Sequence, residues 1–395
     1  MSPISSQVSK LRQVDEPLSP NIEVGKFDLK YLIRALLKYN ASDLHLKMGR
    51  PPLYRINGKL VPAKMPPLTA ARVQAMIFEI LIPRELEELE RDRQIDFSFE
   101  VAEIGRFRCH VFYQLGTVSA AIRMIPLSIP SLDELGVPEV LKELCLRPRG
   151  LLLITGATGC GKSTTLASAL QYINETSPVH IVTIENPIEF VYVDAKASIT
   201  QRELGADVHT MQEALYGGLR QDPDVIMIGE MRDCDTIQAA LTAAETGHLV
   251  ISTLHTNDAK STIDRILDVF PADAQNQIRI QLAYSLLGVV SQQLLARADG
   301  SGRVLAAEVM IKSPTIENYI LKNERDKIAD AISGSNTYYK MQSMNVAIEN
   351  LILSGAITTE EGLRGSPNPD DLKLRLSGVG REEGYNTIDR LGDPV

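Results

Sequence analysis

Residues 150–163 constrain this chain more than any other stretch. Leu151-Leu152-Leu153-Ile154 is a continuous apolar run, and Gly156-Ala157-Thr158-Gly159-Cys160-Gly161-Lys162-Ser163 follows it after a single threonine. An unbroken apolar run suits a strand buried on both faces, the kind found in parallel sheets covered by helices. The residues after the glycines, Thr164-Thr165-Leu166-Ala167-Ser168-Ala169-Leu170, are compatible with a helix. Strand, glycine-rich turn and helix in that order fit the phosphate-binding pattern Gly-x-x-x-x-Gly-Lys-Ser. A random chain of this length would match the pattern about once in a hundred.

The chemistry of phosphate binding explains each residue type. Glycines let the backbone wind tightly, so that several N–H groups point inward at phosphate oxygens. The helix beginning near Lys162 adds the positive end of its dipole. Lys162 is placed to neutralise β/γ-phosphate charge and the Ser163 hydroxyl to ligate Mg²⁺. The expected ligand is ATP with Mg²⁺, held by Gly156, Thr158, Gly159, Cys160, Gly161, Lys162, Ser163 and Thr164. A thiol at position 160, beside the phosphates, is expected to make the site sensitive to alkylation and to be shielded by ATP.

The apolar signature recurs at Ile181-Val182-Thr183-Ile184, Val225-Ile226-Met227-Ile228 and Leu249-Val250-Ile251-Ser252. Helical stretches between several of these imply an α/β core with a parallel sheet. The expected organisation is a flexible leader over 1–26 and a small α+β domain over 27–135. A linker over 136–149 and the core over 150–300 come next. After about Pro271 the pattern turns mostly helical, with a strand-like insert at 304–311; the C-terminal helical region covers 301–365, and a mobile tail covers 366–395. In the first domain, helical spacing covers Leu29 to Leu37 and again about 70–91. Pro52-Leu53-Tyr54-Arg55-Ile56 before Asn57-Gly58 signals a hairpin.

Composition excludes some classes. With 395 residues and 44% apolar content the chain is long enough for two or three domains with real cores. A formal net charge of −9 lends no support to a nucleic-acid partner. None of the four cysteines forms a C-x-x-C pair, which argues against structural zinc and, with their scarcity, points to a reducing compartment. No signal peptide or membrane span is read, and a cytoplasmic location is expected.

A phosphate loop needs a carboxylate at the end of a nearby strand. Glu230, after Val225–Ile228 and Gly229, is the first candidate to polarise a water; taken alone it would be an ordinary strand-end acid. Glu185-Asn186-Pro187-Ile188-Glu189 follows another strand, and Glu189 or Glu185 is a candidate to hold Mg²⁺ through water. By itself this second cluster is ambiguous. His248 and His255 bracket an apolar strand seven residues apart, a separation that sets them on opposite faces of a regular strand and argues against a shared metal. His255 is a candidate to reach the γ-phosphate or a neighbouring subunit.

Four segments in order, Gly156–Ser163, Thr183 to Phe190, Gly229-Glu230-Met231-Arg232-Asp233 and Thr246 to Ala259, resemble the Walker A, Asp, Walker B and His boxes of the secretion ATPase superfamily. The chain around them is similar to the type IV pilus retraction ATPases, the PilT-like twitching-motility motors. Ala41-Ser42-Asp43-Leu44-His45-Leu46, Asp96-Phe97-Ser98-Phe99 and Arg106-Phe107-Arg108 share that likeness, which covers about 27–365. The resemblance implies a PAS-like N-terminal domain, a RecA-like ATPase domain and a homohexamer that binds ATP between subunits. It also implies an inner-membrane pilus platform partner that the cytoplasmic ring engages peripherally. It assigns Lys162 and Ser163 to phosphate and Mg²⁺, Glu230 to catalysis, Glu189 to the Asp box, and His248 and His255 to the His box. Arg106, Arg108 and Arg123 become candidates to stabilise γ-phosphoryl charge. Three positions depart from the family pattern: Asn186 where an acid is usual, Gly116 where an arginine is common, and Glu317 in place of an arginine. The tail beyond Ser366 is additional. Alternatives are an assembly or secretion ATPase of the same superfamily, a regulatory nucleotide-binding paralogue with low turnover, or, more remotely, a nucleic-acid translocase.

Overall fold

The structure is a computed structural model and describes residues 29–377, apart from 57, 103, 126, 127 and 336–338. The expected leader, Asn57 of the hairpin and the end of the expected tail lie outside the described residues. The chain divides into two compact units. One holds the described residues through Ser128 together with Pro187–Val193; the other holds Ile129–Asn186 and Asp194 onward.

The first unit contains α1 (Leu29–Lys38), β1 (Asp43–Leu46), β2 (Leu53–Ile56), β3 (Lys59–Pro62), α2 (Ala70–Phe78), α3 (Pro83–Asp92), β4 (Gln94–Val101), β5 (Gly105–Gln114) and β6 (Thr117–Met124). The strands form an antiparallel sheet in the order β3-β2-β1-β6-β5-β4. Period-two alternation decides which face is buried. Phe107, Cys109 and Val111 of β5 point into the core with Phe97 and Phe99 of β4, while Arg106, Arg108 and His110 take the other face. Leu32, Ile33, Leu36, Val73, Ile77 and Leu89 of the three helices close the same core. The expected single helix over about 70–91 is two. Pro83 at the first helical position has no N–H to continue α2, so the chain breaks and α3 starts afresh.

The second unit begins with α4 (Leu132–Leu135) and α5 (Val140–Cys145), then β7 (Gly150–Thr155), α6 (Lys162–Thr176), β8 (His180–Glu185) and β9 (Ser198–Glu203). There follow α7 (Met211–Gly218), β10 (Val225–Ile228), α8 (Cys234–Glu245), β11 (Leu249–Leu254), α9 (Ala259–Asp268), α10 (Gln275–Ser285), β12 (Leu286–Ala296) and β13 (Arg303–Ile311). Helices α11 (Pro314–Leu321), α12 (Ile328–Gly334), α13 (Met344–Leu353), α14 (Thr359–Gly365) and α15 (Pro369–Leu376) complete it. The sheet runs β13-β12-β7-β11-β10-β8-β9, parallel except for β13. All four strands read from the sequence are present, and β7, β10 and β11 are buried along their whole length.

Three expectations change. The segment 136–149 is no bare linker, because α5 buries Val140, Leu141, Leu144 and Cys145. The region after Pro271 is not mostly helical up to the 304–311 insert, since β12 runs for 11 residues. Its Leu-Leu-Gly-Val-Val stretch fits a helix or a strand equally well locally; pairing with β7 on one side and β13 on the other selects the strand. Part of the expected mobile tail is ordered. Helix α15 buries Leu372 completely beside Leu295, Ile348 and Ile357. Buried Asn345 donates to the Asn368 carbonyl and to Asp371. Among the described residues, no helix is long and apolar enough to cross a membrane.

Candidate active site

Three neighbouring parallel strands, β7, β11 and β10, deliver the site. Each runs into a loop at the same carboxyl edge of the sheet, and those loops carry Lys162, His255 and Glu230 in the same left-to-right order. Ligands gather at this edge in open α/β sheets.

The loop after β7 is shaped by its glycines. Gly156 has φ 141°, and a Cβ there would lie 2.4 Å from the Gln292 carbonyl oxygen of β12 and 2.5 Å from Cys160 Sγ. No side chain fits. Gly161, at φ 92°, caps the N-terminus of α6 in the left-handed region that favours glycine. The loop is backed by β12: Thr165 and Gln292 exchange a buried hydrogen bond at 2.9 Å, and Thr155 and Ser291 hydroxyls meet at 2.9 Å. Gln292 was not legible as a site residue, because its role depends on a strand pairing made 127 residues away in sequence.

Lys162 is 7% exposed and its ammonium donates to the carbonyls of Gly156 (2.8 Å) and Ala157 (3.0 Å). It also lies 3.3 Å from His255 Nδ1, and Thr158 Oγ1 lies 3.4 Å from the same nitrogen. The other ring nitrogen, Nε2, is 3.2 Å from Glu230 Oε1. With Nδ1 turned to Lys162 and Thr158, Nε2 is the ring nitrogen left to face Glu230. Glu230 Oε2 accepts a hydrogen bond from Arg232 Nε at 2.9 Å, and Arg232 Nη2 makes an ion-pair contact to the same oxygen at 2.7 Å. Burial pulls the Glu230 carboxyl upward, but the Arg232 hydrogen bond and the nearby His255 outweigh it and hold the group below the usual carboxylate range. It is therefore ionised at neutral pH. Its backbone is fixed as well: Thr253 Oγ1 donates to the Gly229 carbonyl and Met231 N donates to the Thr253 carbonyl.

The remaining sequence candidates fall into separate groups. Ser163 and Thr164 sit half-buried in the first turn of α6. Glu185, at the end of β8, is buried and accepts from Thr183 Oγ1 at 2.8 Å and Gln201 Nε2 at 3.1 Å. Glu189 is exposed and belongs to the Pro187–Val193 segment of the first unit. His248 precedes β11, at the opposite end from His255. Its Nδ1 lies 2.9 Å from the Ala243 carbonyl and its own carbonyl accepts from Gly150 N, so within this chain it is not brought to the phosphate loop. Cys160 is 6% exposed beneath Gly156, and burial, only partly offset by Lys162, pushes its thiol above the ordinary value. A buried thiol with a raised pKa is a poor nucleophile, which argues against the expected sensitivity to alkylation.

The three arginines share one face of the first unit's sheet. Arg108 of β5 stands directly opposite Arg123 of β6, with Arg106 two residues along. Asp43, 6% exposed, takes Arg123 Nε at 2.8 Å on one oxygen and Arg55 Nε at 3.5 Å on the other. Arg108 lies 3.8 Å from Asp96. Asp43 was quoted as part of a motif but not read as the group that organises this face.

A buried lysine in a glycine loop, a histidine and an ionised carboxylate at one sheet edge define a P-loop ATPase with a RecA-like core. The chain belongs to the type II/IV secretion system protein family, whose model matches residues 24–362. It is 44% identical over 346 residues to the type IV pilus retraction ATPase PilT of Pseudomonas aeruginosa, spanning 87% of this chain and 99% of that protein. It is 37% identical over 364 residues to the type IV pilus ATPase PilU of the same organism, spanning 92% and 95%. The crystal structure of the pilus retraction motor PilT with bound ADP superposes with a TM-score of 0.83 at 44% identity, covering 88% of this chain and 99% of that one.

Proposed function

We propose that this chain is an ATP-hydrolysing, Mg²⁺-dependent homohexameric motor that drives type IV pilus retraction from the cytoplasmic side of the inner membrane, through a membrane platform protein. The observation that carries the hydrolytic part is the unbroken contact path from Lys162 through His255 to Glu230. The full-length likeness to a retraction ATPase supports the cellular part.

The donors suit Mg²⁺. Within the second unit Ser163 offers a hydroxyl oxygen in the first turn of α6 and Glu185 offers carboxylate oxygens; a small hard cation takes oxygen ligands and retains several waters. When bound, the ion would neutralise phosphate charge. The chain's own residues do the rest. Loop N–H groups and Lys162 bind the β- and γ-phosphates, Glu230 polarises the attacking water, and His255 holds Glu230 in register with Lys162. Phosphoryl transfer needs mainly positioning and charge stabilisation, which is what these groups supply. Arg106, Arg108 and Arg123 are proposed to add positive charge to the transferring phosphoryl group.

The test is deletion in the native host with complementation. Loss of twitching with excess surface pili supports retraction; loss of pili supports assembly. Complementation by a Lys162→Ala gene would overturn the motor reading. Asn186, where the family usually has an acid, favours a second reading, a regulatory nucleotide-binding paralogue with low turnover. Nucleotide binding by the purified protein without phosphate release would support that one.

A further inference from the structure

Glu230 is gripped from two sides. His255 holds Oε1, and Arg232 holds Oε2 with two of its guanidinium nitrogens. The two grips differ in kind. His255 is bound into the loop network through Lys162 and Thr158. Arg232 stands on the short connection between β10 and α8, next to Asp233, which caps the N-terminus of α8. Its side chain is 73% exposed, against 23% for Glu230. An arginine so exposed contributes little packing, and an exposed ion pair adds little stability.

Its effect is geometric. A glutamate has three side-chain torsions, and a single contact at Oε1 leaves the carboxylate free to swing about that contact. A second, two-nitrogen contact at Oε2 fixes the carboxylate plane. Each carboxylate oxygen accepts about two hydrogen bonds. Oε1 carries one contact, from His255, whereas Oε2 carries a hydrogen bond from Nε of Arg232 and an ion-pair contact from its Nη2. Oε1 is therefore the less crowded oxygen and the one better able to face a water, and its direction is set by the pair of grips.

Resting on the hydrolase reading above, we infer that Arg232 is a positioning residue: it locks the Glu230 carboxylate so that Oε1 is presented to the attacking water. It touches neither nucleotide nor water in this role. Loss of the grip leaves phosphate binding intact and lowers the fraction of time that Glu230 is aligned. Lysine at this position keeps the charge but reaches Oε2 with a single nitrogen, so it restores only part of the alignment.

The experiment uses the full-length protein with Arg232→Gln and Arg232→Lys, measuring phosphate release over a range of ATP and affinity for a fluorescent ADP analogue. The expected result for Arg232→Gln is a kcat lower by about 10- to 100-fold, the scale of a misplaced catalytic group. KM and analogue affinity stay within about two-fold, because phosphate-binding groups are untouched. Arg232→Lys falls between the two. Unchanged kcat overturns the inference and leaves a surface ion pair. Raised kcat also overturns it, showing that Arg232 restrains Glu230 instead. A change confined to KM or analogue affinity overturns it in favour of a binding role. Wild-type protein that binds the analogue but releases no phosphate sinks the hydrolase reading and this inference together, whereas an active wild type with an unaffected variant sinks only this inference.

Discussion

The two units each carry a network of charges, and the networks are assembled differently. On the antiparallel sheet, Asp43 is held by Arg123 and Arg55 from strands directly paired with its own. Register alone brings these groups together, since cross-strand partners on one face are neighbours by construction. On the parallel sheet, Lys162, His255, Glu230 and Arg232 come from three loops separated by long crossovers. Strand order converges them, and no single pairing would. The first network braces a sheet face and saturates its acid. The second leaves a buried ammonium and an ionised carboxylate at an open edge, where a substrate can meet them.

The sharpest way to break this contrast is to remove the two ends of the converging network. Lys162→Ala or Glu230→Gln is expected to reduce phosphate release by about 10³-fold or more while circular dichroism and melting temperature stay close to wild type. Full activity in Glu230→Gln would remove that residue from the mechanism.

A carboxylate buried without a cation is a third case. Glu308 of β13 lines a cavity of about 730 Å³ that also touches Ala157, Cys160 and Asp371. It accepts from Ala259 N at the start of α9 at 2.8 Å. Burial pushes its carboxyl up to about 7; the Ala259 hydrogen bond opposes this and Asp258 adds to it. A carboxyl raised above its unfolded value contributes stability fully present below about pH 4.5 and lost as pH rises through 7. Glu308→Gln is expected to remove that slope, with a relative gain on the order of 2 kcal/mol at pH 8. Denaturant titrations of both proteins at pH 5 and 8 check it; parallel pH profiles would contradict it.

Asp43 has the opposite sign. Burial would raise its carboxyl, but hydrogen bonds from Ser42 and Arg123 hold it below the ordinary value. Its contribution is present above about pH 4 and lost as pH falls through the folded value. Asp43→Ala should cost about 1–2 kcal/mol at pH 7 and flatten the acid limb of the stability profile, with little change in analogue affinity. The smallest expected effect is at Cys160: N-ethylmaleimide should label it slowly and at equal rates with and without ADP. Rapid labelling suppressed by nucleotide would restore the expected sensitivity to alkylation.

Much of the candidate site was legible from residue types. Glycines, a lysine and a hydroxyl residue after an apolar run leave few other uses, and Glu230 after a four-residue apolar strand was readable from the same logic. The position of His248 before the strand was legible, but its contact was not, because its partner, the Ala243 carbonyl, lies near a helix end that no side-chain pattern marks. Arg232 was quoted within a motif, yet its grip on Glu230 depends on where a loop turns. The division at Ser128 and the grouping of Pro187–Val193 with the first unit likewise left no local signal.

By itself the sequence determined the local chemistry: the phosphate loop, the buried parallel strands, and the hairpin segment Pro52–Ile56. These follow from short-range rules of glycine torsion, turn residues and hydrophobic period. Only the tertiary structure decided that β11 lies between β7 and β10, which is what places His255 between Lys162 and Glu230. It also decided that β12 is a strand and that α15 is ordered. Each of these depends on pairing or burial against residues far along the chain, and such contacts leave no period in the segment they select.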